Sequence, residues 1–315
     1  MTDKLHDTIT IGAGPSALAA AIYTTRENIE TVLFEKGVIG GLAAITDKVD
    51  NYPGFPDGIE GMKLAGQLEA QAKRFGAKIE FGDVTALRDE GKYKVLVVDG
   101  KEVKARTVLI ATGSDYNKLG IPGEAEYYGR GVHYCATCDG AFYRDRRLVV
   151  VGGGNSAVQE AIFLTRFASQ IDLLVRSELR ASEVLQADLR KFIDSGQVKL
   201  HLGTTTDEIV ADDSGKIVEV IGTKDGVKQS FPTDGVFVFI GLKPNTQFLE
   251  GSGVQLDEQG LVATDNRLET NIPGVFACGD VRSGATMQIA SAVGEGATAA
   301  LSIREYIDKT PLEIV

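Results

Sequence analysis

The clearest chemistry in this chain lies in two cysteines separated by two residues, Cys135-Ala136-Thr137-Cys138. A C-x-x-C pair opens and closes a disulfide through a thiolate whose pKa the surrounding backbone lowers, moving two electrons each time. The competing reading is half of a zinc site. Zinc needs further ligands, and the remaining candidates, Cys278, His6, His133 and His201, do not supply a second pair at the right spacing. The redox reading is therefore favoured and no metal is expected. Asp139 directly follows the pair, where it either moves a proton to or from the sulfurs or caps the turn before Gly140. Cys278 reads as a small buried residue rather than a third redox thiol.

Two glycine-rich turns flank the cysteine pair. In the first, a β-branched run enters Gly12-Ala13-Gly14-Pro15-Ser16-Ala17 and an alanine-rich helix leaves it. Gly12 permits the tight turn, Gly14 lets a pyrophosphate approach the backbone, and Ala17 lets helix and strand pack closely. The N–H groups and dipole of the helix N-terminus favour the phosphates. Residues Glu30–Glu35 read as the next strand, and Glu35 lies at about the ~20-residue offset where a carboxylate bonds a ribose hydroxyl. In the second turn, the strand pattern Arg147–Val151 enters Gly152-Gly153-Gly154-Asn155-Ser156-Ala157, and apolar periodicity predicts a helix over Val158–Ala168. Two dinucleotide-binding folds are implied, one inserted in the other.

Further landmarks fit that plan. A buried strand from Val108 ends at Ala111-Thr112-Gly113, and a similar one from Gly274 ends at Cys278-Gly279-Asp280. Gln288, Ile289 and Ala290 open the last helix, whose positive end would favour an anionic reduced flavin ring placed before it. Phe231–Gly241 is expected to close the insert with a strand. The predicted architecture is α/β, two nested Rossmann-like three-layer units. The first is discontinuous, residues 1–115 and 246–315, and the second spans 116–245.

Composition sets limits on the rest. A chain of 315 residues is long for one ordinary domain and comfortable for two. Its net charge of −11 disfavours nucleic acid or an anionic membrane as a general partner. No apolar run is long enough to span a bilayer, and the opening residues lack a signal-peptide layout, so a cytoplasmic protein is expected. With three cysteines, a structural disulfide framework is excluded.

The series Gly12-Ala13-Gly14-Pro15-Ser16-Ala17, Asn51-Tyr52-Pro53-Gly54, Ala111-Thr112-Gly113, Cys135-Ala136-Thr137-Cys138-Asp139-Gly140, Gly152-Gly153-Gly154-Asn155-Ser156-Ala157 and Cys278-Gly279-Asp280 resembles the low-molecular-weight thioredoxin reductases. The resemblance spans essentially the whole chain, and the Cys-Ala-Thr-Cys-Asp element is its specific part. It implies a homodimeric flavoprotein with bound FAD, reduced by NADPH, whose two domains swing to present nicotinamide and the cysteine pair in turn. It further implies that Cys135 attacks the disulfide of a thioredoxin-like protein, that Cys138 faces the flavin, and that Asp139 is the acid. Gly12, Gly14, Glu35, Gly41, Leu42, Asn51, Ala111, Thr112, Gly113, Gly279, Asp280, Gln288, Ile289 and Ala290 would line the FAD site. Gly152, Gly154, Asn155, Ser156 and Ala157, with Arg176 and Arg180, would take the pyridine nucleotide.

Three stretches depart from the family pattern. Where His-Arg-Arg-x-x-x-Arg is usual, the chain reads Leu174-Val175-Arg176-Ser177-Glu178-Leu179-Arg180, so two arginines remain to grip a 2′-phosphate. Gly40-Gly41-Leu42 replaces Gly-Gly-Gln, and Met287-Gln288 replaces Arg-Gln. These changes fall on the donor and flavin contacts and leave the cysteine chemistry intact. They keep two alternatives open: the same fold with NADH or reduced ferredoxin as donor, or an FAD redox sensor without turnover.

Overall fold

The computed structural model describes residues 4–46, 48–49 and 51–311 of the chain; Met1–Asp3, used above in reading the start, lie outside them. The chain folds as two compact units, one running up to Asp115 and resuming at Lys243, the other spanning Tyr116–Leu242. The return crossing thus falls at Leu242–Lys243, slightly before the expected 245–246.

In the first unit, parallel strands lie in the order Lys78–Phe81, Thr31–Glu35, Leu5–Ile11, Lys101–Ile110. The long strand Lys101–Ile110 changes partner along its length. Its first half pairs antiparallel with Lys94–Val98, and its last residues pair parallel with Val275–Ala277. The β-branched runs place alternate side chains on opposite faces, and both faces are buried, as a parallel sheet requires. Leu33, Leu109 and Phe276 face a core shared with the helices Pro15–Arg26, Gly61–Arg74 and Ile289–Lys309. Ile9, Ile11, Val32, Phe34, Val108 and Ile110 face a second core closed by the antiparallel strands. Each such side chain contributes roughly 1.5–3 kcal/mol of burial. The first and last helices touch at Gly296, where a Cβ would stand 2.2 Å from the Ser16 carbonyl oxygen, so only glycine allows that approach.

The second unit repeats the plan. Its parallel strands run Val198–Leu202, Gln170–Val175, Arg147–Val151, Gly235–Val238, Val132–His133. The helices Asn155–Leu164 and Glu183–Asp194 lie on the face of Leu148, Val150, Leu173 and Phe237. The antiparallel sheet Thr204–Ala211, Ile217–Lys224, Val227–Pro232 closes the other, over Val149, Val151, Leu174 and Val236. Both units are three-layer Rossmann-like folds.

Two expected elements differ in extent. The helix predicted to reach Ala168 ends at Leu164. There the Thr165 hydroxyl donates back to the Ile162 carbonyl (2.6 Å), and the Gln197 amide donates to the carbonyls of Thr165 and Ala168. Side chains thus satisfy groups that another helical turn would have used. The single strand expected over Phe231–Gly241 is broken at Thr233-Asp234, where the chain leaves the antiparallel sheet and joins the parallel one. Thr233 fixes the crossing by donating to the carbonyls of Arg147 and Gly235.

Candidate functional site

The first glycine turn is a cradle in which two glycines do different work. Gly12 has φ +99°, and a Cβ there would stand 2.5 Å from the Ala111 carbonyl oxygen, so the fold itself forbids a side chain. Gly14 has φ −73°, and nothing lies within 4 Å of its Cβ position. Nothing in the protein demands glycine there; the space is open to a ligand. The helix that follows begins at Pro15, which lacks an N–H to lose, and no side chain caps it. Its Ser16 is buried against Gly279, whose own Cβ would stand 2.7 Å from the Ser16 hydroxyl.

Glu35 ends the neighbouring strand and is held rigidly. Ala13 N–H donates to one carboxylate oxygen (2.8 Å) and Gly37 N–H to the other (2.7 Å). It lines a cavity of about 290 Å³ together with Gly12, Lys36, Asp83, Thr112 and Phe248. Thr112 is fixed through Asn245: its hydroxyl donates to the Asn245 carbonyl, and the Asn245 amide returns a bond to the Thr112 carbonyl. No local motif marks Asn245 for this role, because its pairing with Thr112 spans 133 residues.

Other predicted residues gather around the same turn. Gly40 N–H donates to the Ala13 carbonyl, and a Cβ on Gly41 would lie 3.8 Å from Gly14 Cα, so the short helix Gly41–Ala44 carrying Leu42 lies beside the cradle. Asn51 donates its amide to the Gln288 side chain, immediately before Ile289 and Ala290 begin the last helix. Met287 holds φ +55°, an unusual conformation for its type. Gly113 adopts φ +66° at the end of the Ala111-Thr112 turn. Asp280 is pushed up to about 6, chiefly by burial and secondarily by Glu295. Glu295 in turn accepts from Gly279 N–H and from the Arg282 guanidinium at two points. Neither Arg282 nor Glu295 carries a motif that would have marked it. Cys278 is fully buried, and burial pushes its thiol up to about 12, consistent with an inert packing role.

The second glycine turn copies the backbone of the first. Gly152 has φ +139°, with a Cβ position 2.3 Å from the Phe239 carbonyl oxygen, while Gly154 faces open space. Asn155 and Ser156 start an uncapped helix, and Ala157 is fully buried beneath it. The loop after the second strand folds back onto this turn: Arg180 N–H donates to the Gly153 carbonyl, and Ser182 N–H to the Asn155 side chain. The Arg176 and Arg180 side chains are exposed on that loop, with Glu178 between them. Leu174 and Val175, at the family's histidine and arginine positions, are buried in the two cores of the unit.

The cysteines form a disulfide with Cα atoms 5.3 Å apart. Cys135 precedes a single helical turn, Ala136–Asp139, and the Cys138 N–H donates to its sulfur (3.2 Å). That donor favours a thiolate on Cys135 once the bond opens. The turn is anchored on its N-terminal side by Tyr134, whose hydroxyl donates to buried Glu124 (2.6 Å). On its other side Gly140 packs against Leu164. The imidazole of His133, weighed above as a zinc ligand, has Asp139 on one nitrogen and Tyr143 on the other. Leu164 ends the ten-residue helix that starts at Asn155, so Gly140, two residues beyond Cys138, packs against the far end of the helix that leaves the Gly152 turn.

Comparison with known proteins agrees with this organisation. The family described as pyridine nucleotide-disulphide oxidoreductase matches residues 6–296. The chain is 44% identical over 310 residues to a thioredoxin reductase of Bacillus subtilis (strain 168), covering 98% of this chain and 96% of the relative. It is 43% identical to one of Listeria innocua, covering 98% and 95%. Among solved structures, the thioredoxin reductase from Streptococcus pyogenes MGAS5005 superposes with a TM-score of 0.92 at 37% identity, covering 98% of this chain and all of the other. That of Lactococcus lactis gives 0.65 at 38% identity, covering 96% and 99%.

Proposed function

Because the chain belongs to the pyridine nucleotide-disulphide oxidoreductase family, and within it to the low-molecular-weight thioredoxin reductases, we propose that it reduces the disulfide of a thioredoxin-like protein with electrons from NADPH. The observation that carries the reading is a Cys135–Cys138 disulfide set in the same unit as the Gly152 turn, in a chain whose other unit has its own glycine turn at Gly12. A nicotinamide gives a hydride and a disulfide takes two electrons and releases thiolates, so a carrier that exchanges both forms fits between them. The first unit offers a site for one. Open space at Gly14, an uncapped helix N-terminus and a fixed carboxylate at Glu35 fit the pyrophosphate and ribose of FAD. Bound there, FAD would supply two-electron exchange between a nicotinamide and a disulfide.

The residues divide the remaining work. Gly12, Gly14, Pro15, Ser16 and Ala17 shape the pyrophosphate cradle, and Glu35 takes the ribose. Gly41, Leu42, Asn51, Ala111, Thr112, Gly113, Gly279, Asp280, Gln288, Ile289 and Ala290 complete the flavin site. Gly152, Gly154, Asn155, Ser156 and Ala157 hold the nicotinamide dinucleotide. Arg176 and Arg180 meet its 2′-phosphate, since both guanidinium groups are exposed beside that turn. Cys135 attacks the acceptor disulfide, as the N–H donor on its sulfur favours, and Cys138 closes the intrachain bond. Asp139 moves the proton. The functional protein is a cytoplasmic homodimer.

The test is anaerobic: NADPH, then NADH, is added to the yellow protein and bleaching of the flavin band is followed, with oxidised thioredoxin added afterwards. Rapid bleaching by NADPH and recovery on adding thioredoxin are expected. Cys138→Ser keeps the colour and loses thioredoxin reduction; retained turnover in that variant would overturn the relay. Bleaching by NADH alone would reassign the donor.

A further inference from the structure

The side chains behind the cysteine turn form a connected polar line. His133, on the short strand Val132–His133, is buried, 6% exposed. Its Nδ1 lies 3.1 Å from Asp139 Oδ2, and its Nε2 lies 2.7 Å from the Tyr143 hydroxyl. The imidazole is wedged between the rings of Tyr143, edge-on, and Phe237. Tyr143 itself fits only because residue 235 is glycine: a Cβ there would stand 2.3 Å from the Tyr143 ring. A buried imidazole with a carboxylate on one nitrogen and a phenol on the other has a fixed orientation and two fixed proton partners.

We propose that His133 is the positioning residue for Asp139: it aims the carboxyl and shares its proton, while Tyr143 fixes the imidazole. The proposal rests on the reading of Asp139 as the acid of the disulfide exchange. When Tyr143 accepts the Nε2–H, the Nδ1 lone pair faces Asp139 and can take the carboxyl proton. In the exchange, Asp139 removes the Cys135 thiol proton and shares it with Nδ1. The Cys135 sulfur bonds to one acceptor sulfur, the acceptor disulfide breaks, and the leaving sulfur receives that proton. Cys138 then bonds to Cys135, the mixed disulfide breaks, and the second acceptor sulfur leaves with the Cys138 proton. Two electrons and two protons pass from the dithiol to the acceptor.

The groups facing this line are few. Asp139 lies on the cysteine turn and Tyr143 on the turn after it; Phe237, from the neighbouring strand, is uncharged. Tyr143 also feels Asp234, which is paired with Arg146 and Lys216. Burial, then Asp139 and Asp234, push the Tyr143 hydroxyl above its ordinary value, so it stays protonated across the working range.

The experiment mixes pre-reduced holoenzyme with oxidised thioredoxin and follows reoxidation of the dithiol across neutral pH. His133→Ala is expected to slow reoxidation about tenfold or more and to shift the pH profile. His133→Asn places an amide N–H where Nδ1 was, so it should restore much of the rate by aiming Asp139 while the shifted profile persists. Tyr143→Phe should show a smaller shift in the same direction. A wild-type rate and profile in His133→Ala, or uniform slowing at every pH that Asn does not relieve, overturns the proposal and leaves the acid assignment standing if Asp139→Asn is slow. Unchanged exchange in Asp139→Asn removes the acid assignment and this proposal with it.

Discussion

The Gly12 and Gly152 turns are nearly the same object built twice, and they diverge where the next strand ends. Each opens with a glycine at positive φ pressed against a neighbouring carbonyl, and each keeps a second glycine beside open space. After the first, the strand ends in Glu35, whose carboxylate is locked by two backbone N–H groups. After the second, it ends in buried Val175, and the cations that follow are Arg176 and Arg180, on an exposed loop that also carries Glu178. An acid that accepts from hydroxyls suits a ribose; a guanidinium suits a phosphate. In the proposed reading the shared backbone binds a pyrophosphate, and the strand end selects what else is held.

The strongest way to break the comparison is to put a Cβ on the glycines that the fold needs. Gly12→Ala meets the Ala111 carbonyl at 2.5 Å and Gly152→Ala meets that of Phe239 at 2.3 Å, each at a strained φ. Strain of this kind costs about 1–3 kcal/mol per residue before the steric term is added. Gly12→Ala is expected to lose flavin and soluble protein together. Gly152→Ala should keep the flavin colour and lose bleaching by NADPH. Spectra and melting curves of both separate these outcomes, and a folded, fully active Gly12→Ala would show that the turn is not built as described.

The second pair sharpens the point, because the protein itself makes no steric demand for glycine at Gly14 and Gly154. Their Cβ positions are free and their φ values, −73° and −87°, are ordinary, so Gly14→Ala and Gly154→Ala should leave the melting temperature of the ligand-free protein within a few degrees. A methyl group in the path of a pyrophosphate should nevertheless weaken binding about 100-fold, of FAD in the first case and of NADPH in the second. Equilibrium titration of each ligand checks this. Equal loss of both ligands in either variant would break the assignment of one turn to one nucleotide.

How far the sequence could be read follows from the same contrast. The strands, the two glycine turns and their helices were legible because β-branched runs, glycine spacing and alanine-rich stretches act locally. The break at Thr233-Asp234 was not, since the Thr233 hydroxyl reaches Arg147, 86 residues away, and no local pattern announces it. The shorter helix ending at Leu164 likewise depends on Gln197 arriving from elsewhere. Around the cysteines, the pair and Asp139 were visible as a motif. His133 was visible only as a candidate ligand, because its partnership with Tyr143 needs Gly235 to make room. Asn245 and the Glu295–Arg282 pair were silent for the same reason.

A third test uses an acid that one unit has and the other lacks. The strand Val275–Ala277 leads through Cys278-Gly279 to Asp280, while its counterpart Gly235–Val238 leads to Phe239-Ile240-Gly241. Burial raises the Asp280 carboxyl from 3.8 to about 6, so in the folded state it holds its proton more tightly than in the unfolded chain. Its contribution to the stability of the flavin-free protein is therefore fully present below pH about 4 and is lost as pH rises through about 6, by at most about 3 kcal/mol. Asp280→Asn should remove that dependence and raise the stability of the flavin-free protein near neutral pH. Urea melts at two pH values on either side of the window check it; parallel losses in variant and parent would remove the buried acid from the account.

The smallest expected effect bears most directly on selectivity. Arg176 and Arg180 are the cations exposed after the second strand, and the Arg180 backbone is tied to the Gly153 carbonyl, which keeps the loop beside the pyrophosphate turn. A charge-assisted contact to a phosphate contributes roughly 1.5–3 kcal/mol, and an exposed one falls at the lower end. Arg180→Ala should therefore raise KM for NADPH by about tenfold at low salt, with kcat and KM for NADH little changed. Arg176→Ala should act in the same direction. Because the sites are exposed, added salt should shrink the difference. If both nucleotides lose equally, the arginines hold the pyrophosphate that NADPH and NADH have in common, and the divergence at the strand end would no longer explain which dinucleotide each unit selects.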